Sequence, residues 1–108
     1  MSAQNGRLGV TMTSAGTWVA VAQIPASVNV ANISIRAVNQ GGTNDKLDVA
    51  ISMTTTPTNA EKIEHQAELA ANGGGYSLAC ELASPGEYIM VKALTANVSV
   101  RVTAIFQV

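Results

Sequence analysis

Apolar and polar residues alternate with period two along most of the chain. In "KLDVAISMT", Leu47, Val49, Ile51 and Met53 share one face, with Asp48, Ala50, Ser52 and Thr54 on the other. "NVSVRVTAIFQV" sets Val98, Val100, Val102, Ala104, Phe106 and Val108 against Ser99, Arg101, Thr103 and Gln107. "NISIRAV" sets Ile33, Ile35 and Ala37 against Ser34 and Arg36, and "GYSLACEL" sets Tyr76, Leu78, Cys80 and Leu82 against Ser77, Ala79 and Glu81. Alternation of this kind marks strands with one face in a core, and the β-branched content suits a half-buried pleated surface. Turn signals separate the runs: Pro25, "NQGGTND", "TTTPTN", "ANGGG", "SPGE" and "TAN". They divide the chain into eight strands near 7–13, 17–24, 29–39, 46–54, 63–69, 75–82, 87–94 and 97–107. Many short, evenly spaced strands predict an all-β antiparallel fold, a β-sandwich of jelly-roll or immunoglobulin-like type.

Local rules conflict only in "EKIEHQAELAANGGG", residues 61–75. Thr58 followed by Glu61 fits a capping box, and the segment is rich in helix formers. Its helical face is poor, because Ile63, Gln66, Ala67 and Ala70 make no stripe. With period two, Ile63, His65, Ala67 and Leu69 face one way and Glu64, Gln66 and Glu68 the other. The favoured reading is one helical turn near 57–62, then a strand over 63–69. "NGGG" at 72–75 resembles a phosphate loop only superficially. A strand pattern follows it where such a loop needs a helix and a lysine, so it is read as a hairpin loop.

Length and composition narrow the class. The 108 residues form a single domain, 1–108, with no linker or composition shift. Only 12% of residues are charged, about half the usual share, so part of the outer surface is expected to meet other chains. Net charge is −1 and six basic residues are spread from Arg7 to Arg101, which argues against nucleic-acid binding. No apolar run approaches the roughly 20 residues of a membrane span, and "MSAQNGRLG" has no apolar signal core, so no membrane partner and a cytoplasmic start are expected. Residues 1–8 are polar and read as an N-terminal arm that orders on binding.

Candidate chemistry is sparse. His65, the only histidine, lies beside Glu64 and Glu68, but on a strand it points away from both. It is read as a partly buried strand residue, and Cys80, the only cysteine, as a packed core thiol. One His and one Cys cannot complete a zinc site, and no nucleophile partners His65. No catalytic, metal or cofactor site is therefore expected, and no enzymatic activity. Trp18 is read as a core or subunit-interface residue. Glu64 and Glu68 are read as protecting an edge strand or meeting a neighbour's Lys or Arg. Arg7, Trp18, Glu64 and Glu68 are the candidate interface residues. "ANISIR" at 31–36 recurs as "ANVSVR" at 96–101, either through shared strand chemistry or because the two strands hold equivalent places in the fold.

Three consecutive pieces carry a resemblance. They are "VAVAQIPASVNVANISIRAVNQG", "DKLDVAISMTTTPTNAEKIEHQAELAANG" and "LASPGEYIMVKALTANVSVRVTAIF". In this order, over residues 17–106, the chain resembles small virion structural proteins of tailed bacteriophages. It departs from that group at His65, where an aromatic is expected, and in its longer glycine run at 73–75. The resemblance implies a non-enzymatic β-sandwich, repeated many times in a particle, with a strand at 63–69. The leading expectation is a capsid decoration, or cement, protein on the outer capsid surface, assembled in the host cytoplasm. Its partners would be the major capsid protein or other virion subunits, and it would form a homo-oligomer, a trimer by preference. The alternatives are a tail or fibre-adaptor module, and a host-surface carbohydrate-binding module using Trp18, Tyr76 and Tyr88.

Overall fold

The computed structural model describes residues 5–107. The alternating runs form β1 (Gly6–Met12), β2 (Val19–Gln23), β3 (Val30–Asn39), β4 (Asp45–Ser52), β5 (Lys62–Leu69), β6 (Gly75–Ala83), β7 (Tyr88–Ala93) and β8 (Val98–Gln107). A single 3-10 turn, Asn59–Glu61, precedes β5. It is held at its start by the Glu61 carboxylate, which accepts from the Thr58 N–H at 2.9 Å and the Thr58 hydroxyl at 3.1 Å.

The strands form two four-stranded antiparallel sheets, ordered β1-β8-β3-β6 and β2-β7-β4-β5. First pairs with last, second with seventh, third with sixth, fourth with fifth. The chain is thus one long hairpin wrapped into two layers, the strand order of an eight-stranded jelly roll. Six of its seven connections cross between sheets, and only β4–β5 is a hairpin. The glycine loop after β5 therefore carries the chain from one sheet to the other and does not close a hairpin. Its backbone bonds to the loop after β3: Gly73 N–H to Asn39 C=O, Asn72 N–H to Gly41 C=O, and Asn39 N–H to Gly74 C=O.

The expected apolar faces meet between the sheets. Ile33, Ile35, Ala37, Leu47, Val49, Ile89, Val91, Val98, Val100 and Val102 are buried in one core. Polar groups tie the strand ends to it. Buried Asn39 donates its amide to the carbonyls of Thr43, Leu69 and Ala70 and accepts from Gly41 N–H. Buried Asp45 accepts from Lys46 N–H, Leu94 N–H, Thr95 N–H and the Thr95 hydroxyl. Burial alone would raise its pKa, but these bonds, the Thr95 hydroxyl foremost, outweigh it and hold the carboxyl below its ordinary 3.8.

The departures from simple alternation fall on the edges. The inner pairs β3–β8 and β4–β7 run in unbroken register. Each edge strand, β1, β2, β5 and β6, carries extra residues opposite its straight neighbour. Such bulges twist an edge away from strand addition. They also reverse the facing of side chains, which corrects two expectations. Cys80 lies in the β6 bulge at φ 63 and is exposed, not a core thiol. His65 precedes Gln66, at φ 52 in the β5 bulge, and its side chain is 65% exposed. Beyond the β6 bulge the phase shifts, so Ala83 is buried and Leu82 exposed. The outer face of β4 is also drier than alternation implies, with Asp48, Ala50 and Ser52 all buried. Residues 1–4 of the expected N-terminal arm lie outside the described residues, whereas Gly6–Leu8 belong to β1 and Asn5 accepts from Phe106 N–H.

Candidate functional site

The outer faces of the two sheets differ in how their charges are satisfied. On β2-β7-β4-β5, the register sets Asp48 opposite Lys92. The bulged start of β5 brings Lys62 and His65 to the same carboxylate. Lys62 Nζ is 3.4 Å from Asp48 Oδ2, Lys92 Nζ 3.8 Å from Oδ2, and His65 Nδ1 3.5 Å from Oδ1. Oδ1 also accepts from Gln66 N–H at 2.6 Å. Lys62 Nζ lies 3.1 Å from His65 Nδ1; an ammonium can only donate, so that ring nitrogen accepts. Lys92 in turn lies 5.1 Å from the centroid of half-buried Trp18, within cation–π range. Lys46 completes a shallow cleft of about 260 Å³ over this cluster, and Glu68, opposite Lys46 in the register, stands at its rim. Among the described residues, Asp48 is the one carboxylate lining the cleft and is engaged by Lys62 and Lys92, and no nucleophile lines it beside His65.

The face of β1-β8-β3-β6 is built the other way. Directly paired residues point to the same side of a sheet. One rung across all four strands reads Val10, Arg101, Arg36, Ser77. The next reads Met12, Ser99, Val38, Gly75, and towards the other end Ile105, Asn32 and Leu82 line up. Val10, Met12, Leu82 and Ile105 are 56%, 45%, 64% and 65% exposed, four of the six large apolar side chains that the described residues leave open. Arg7, Arg36 and Arg101 line one hollow of about 350 Å³ on this face. None of these three arginines has a carboxylate within 4 Å among the described residues. Exposed Cys80 lies on the same face beside Ser34 and Ile105.

A third feature is the margin where edge strands β5 and β6 run side by side. Glu64 pairs with Val49 and Glu81 with Ile33, both core residues, so the two carboxylates turn towards the gap between the sheets. Tyr76 lies there with its hydroxyl buried and without a hydrogen-bond partner among the described residues. Its pKa is raised above 10.0, first by burial and then by the charges of Glu64 and Glu81. Glu64 is close to the phenol but outside hydrogen-bond geometry.

The four candidate interface residues therefore lie on three separate surfaces. Arg7 is on the arginine face, Trp18 beside the Asp48 cleft, and Glu64 and Glu68 on edge strand β5. Trp18 lies outside the core and covers Lys92. Trp18, Tyr76 and Tyr88 do not converge. Tyr76 belongs to the other sheet, and the register puts Trp18 and Tyr88 at opposite ends of β7. Alternation alone missed Asp48 and the Arg36–Arg101 pair. The recurrence of "ANISIR" as "ANVSVR" was the available signal for the latter. The two copies are the adjacent central strands β3 and β8, and their closing arginines meet. Among the described residues, no three His, Cys, Asp or Glu side chains group as metal ligands. No protein-family model matches the chain, and no curated protein matches it either.

Proposed function

We propose that the protein is a non-enzymatic structural component of a phage particle, a capsid decoration protein whose copies clamp neighbouring major capsid subunits on the outer surface. One observation carries the reading: a jelly-roll face that exposes four large apolar side chains and three arginines with no carboxylate within 4 Å among the described residues. An isolated protein gains nothing from such a face. Arg36 stands directly opposite Arg101, and like charges so placed are unfavourable. Apolar anchors and arginines are what a covered surface carries. Bulged edges close the alternative of joining neighbours strand to strand. The resemblance of the sequence to small phage virion proteins points the same way. Each contact can be modest, because a lattice presents many copies at high effective concentration.

The test compares particles assembled with and without the chain. Particles lacking it keep their shape but break at lower temperature and on transfer to low salt, and adding purified chain restores resistance. Equal robustness with and without the chain, in particles that merely fail to attach to cells, would move the protein to an adhesive role.

A further inference from the structure

The chain's charges divide into those satisfied within the fold and those left over. Of its seven carboxylates, Asp45 is held by four hydrogen bonds, and Asp48 by Gln66 N–H and two lysines. Glu61 caps the 3-10 turn, and Glu87 accepts from Ser84 N–H. Glu64, Glu68 and Glu81 remain, with no ion pair or geometrically sound hydrogen bond among the described residues. All three lie on β5 and β6, the two edge strands along one margin of the sandwich. Of the six basic residues, Lys62 and Lys92 are committed to Asp48, Lys46 stands opposite Glu68 in the β4–β5 register, and Arg7, Arg36 and Arg101 have no carboxylate within 4 Å among the described residues. The three arginines lie on one face and Glu64 and Glu81 along the neighbouring margin, and among the described residues no ion pair joins the two groups within one copy.

We infer that the arginine face of one copy seats the β5–β6 margin of a second copy, with Arg36 and Arg101 reaching the Glu64–Glu81 gap. The inference rests on the reading above only in taking that face as covered. Three features of the margin fit a guanidinium. Two carboxylates flank the gap, and Arg recognises such pairs through several donors in one plane. The buried Tyr76 oxygen has an acceptor position to spare. The bulges at Gln66 and Cys80 prevent the margin from pairing as a strand, so a side-chain contact is the one left. The contact joins two different surfaces, so it is heterologous and closes into a ring when the rotation allows, which makes a trimer attainable.

The test uses the purified full-length chain and measures molar mass by light scattering across concentration and salt. Wild type is expected as an oligomer that dissociates as salt rises. Arg36→Glu/Arg101→Glu and, separately, Glu64→Lys/Glu81→Lys are each expected to associate roughly a hundredfold more weakly or worse, since each sets like charges across the contact. Mixing the two variants restores association, with copies forced to alternate, so the mixture forms even-numbered complexes. Restoration on mixing also shows that both variants are folded. Labelling of Cys80, on the seated face, slows in wild type and in the mixture relative to either variant alone. A wild-type chain that stays monomeric at every concentration, variants of unchanged mass, or a mixture that stays monomeric would each overturn the inference. A monomeric chain that still restored heat resistance to particles would overturn this contact and leave the particle role standing. An oligomer that restored nothing would do the reverse.

Discussion

Replacing Asp48 by alanine strands several groups at once. The side chain is 8% exposed and accepts a 2.6 Å bond from Gln66 N–H. It is also the counter-charge of Lys62, itself only 13% exposed, and of Lys92, which is a third exposed. An orphaned buried N–H costs about 1–3 kcal/mol. Removing one member of a buried ion pair costs about 3–5 kcal/mol. The second figure is an upper bound here, because Lys62 keeps His65 Nδ1 at 3.1 Å and Lys92 can turn to water. We expect Asp48→Ala to lose about 2–4 kcal/mol, on the order of 10–20 °C in Tm for a domain of this size. Asp48→Asn keeps an acceptor for Gln66 but loses the charge, and should cost about half as much. Lys62→Met in the Asp48→Asn background should recover at least about 1 kcal/mol relative to additivity, since it removes the uncompensated cation. Urea denaturation of wild type, Asp48→Ala, Asp48→Asn, Lys62→Met and the Asp48→Asn/Lys62→Met double variant measures both quantities. A loss below about 0.5 kcal/mol for Asp48→Ala, or additivity within about 0.5 kcal/mol in the cycle, would refute the account of the cleft as a structural clamp.

Three further outcomes are expected. A Cβ on Gly9 would overlap the Val21 carbonyl where β2 crosses close behind β1, so Gly9→Ala should cost about 1–3 kcal/mol in urea, and a neutral result would mean the two edges can part freely. The Asp45 carboxyl is held below its ordinary 3.8, so its contribution is fully present above that value and is lost as pH falls through the lower folded value; Asp45→Asn should be less stable at neutral pH and lose less on acidification, and parallel stability–pH curves would contradict this. Arg36→Thr relieves the like-charge pair with Arg101 and should raise monomer stability by up to about 1 kcal/mol while weakening self-association; a destabilised monomer would show that the pair is favourable in the isolated fold.

Local structure was legible in the sequence because alternation and turn residues act locally. All eight strands and the helical turn lie within two or three residues of where the pattern puts them. The sandwich follows from their number. The pairing was not legible, since six of seven connections cross between sheets and sequence neighbours are then not spatial neighbours. This is why the glycine loop read as a hairpin. Cys80 and His65 were misplaced for another reason: a single residue in the left-handed region reverses the phase downstream, and neither Cys80 nor Gln66 is a residue type that announces such a bulge. The Asp48 cluster escaped because it joins three strands whose register only the fold sets.

The placement of irregularity bears on how the molecule meets others. Bulges occur on all four edge strands and on neither inner pair. A sheet protein that must exist at high local concentration faces two hazards: strand-to-strand addition along its edges, and unspecific adhesion through an apolar face. The first is met by the bulges, which spoil the ladder an incoming strand would need. The second is met by the arginines, which set desolvation and charge conditions on whatever covers Val10, Met12, Leu82 and Ile105. A partner without carboxylates would bury three cations unpaired, at a cost larger than four apolar contacts return. A partner that presents carboxylates converts the same arginines into anchors. On the proposed reading, association is steered away from open-ended stacking of edges towards a face whose occupant must match it in charge, the discrimination that a repeated part in a particle would require.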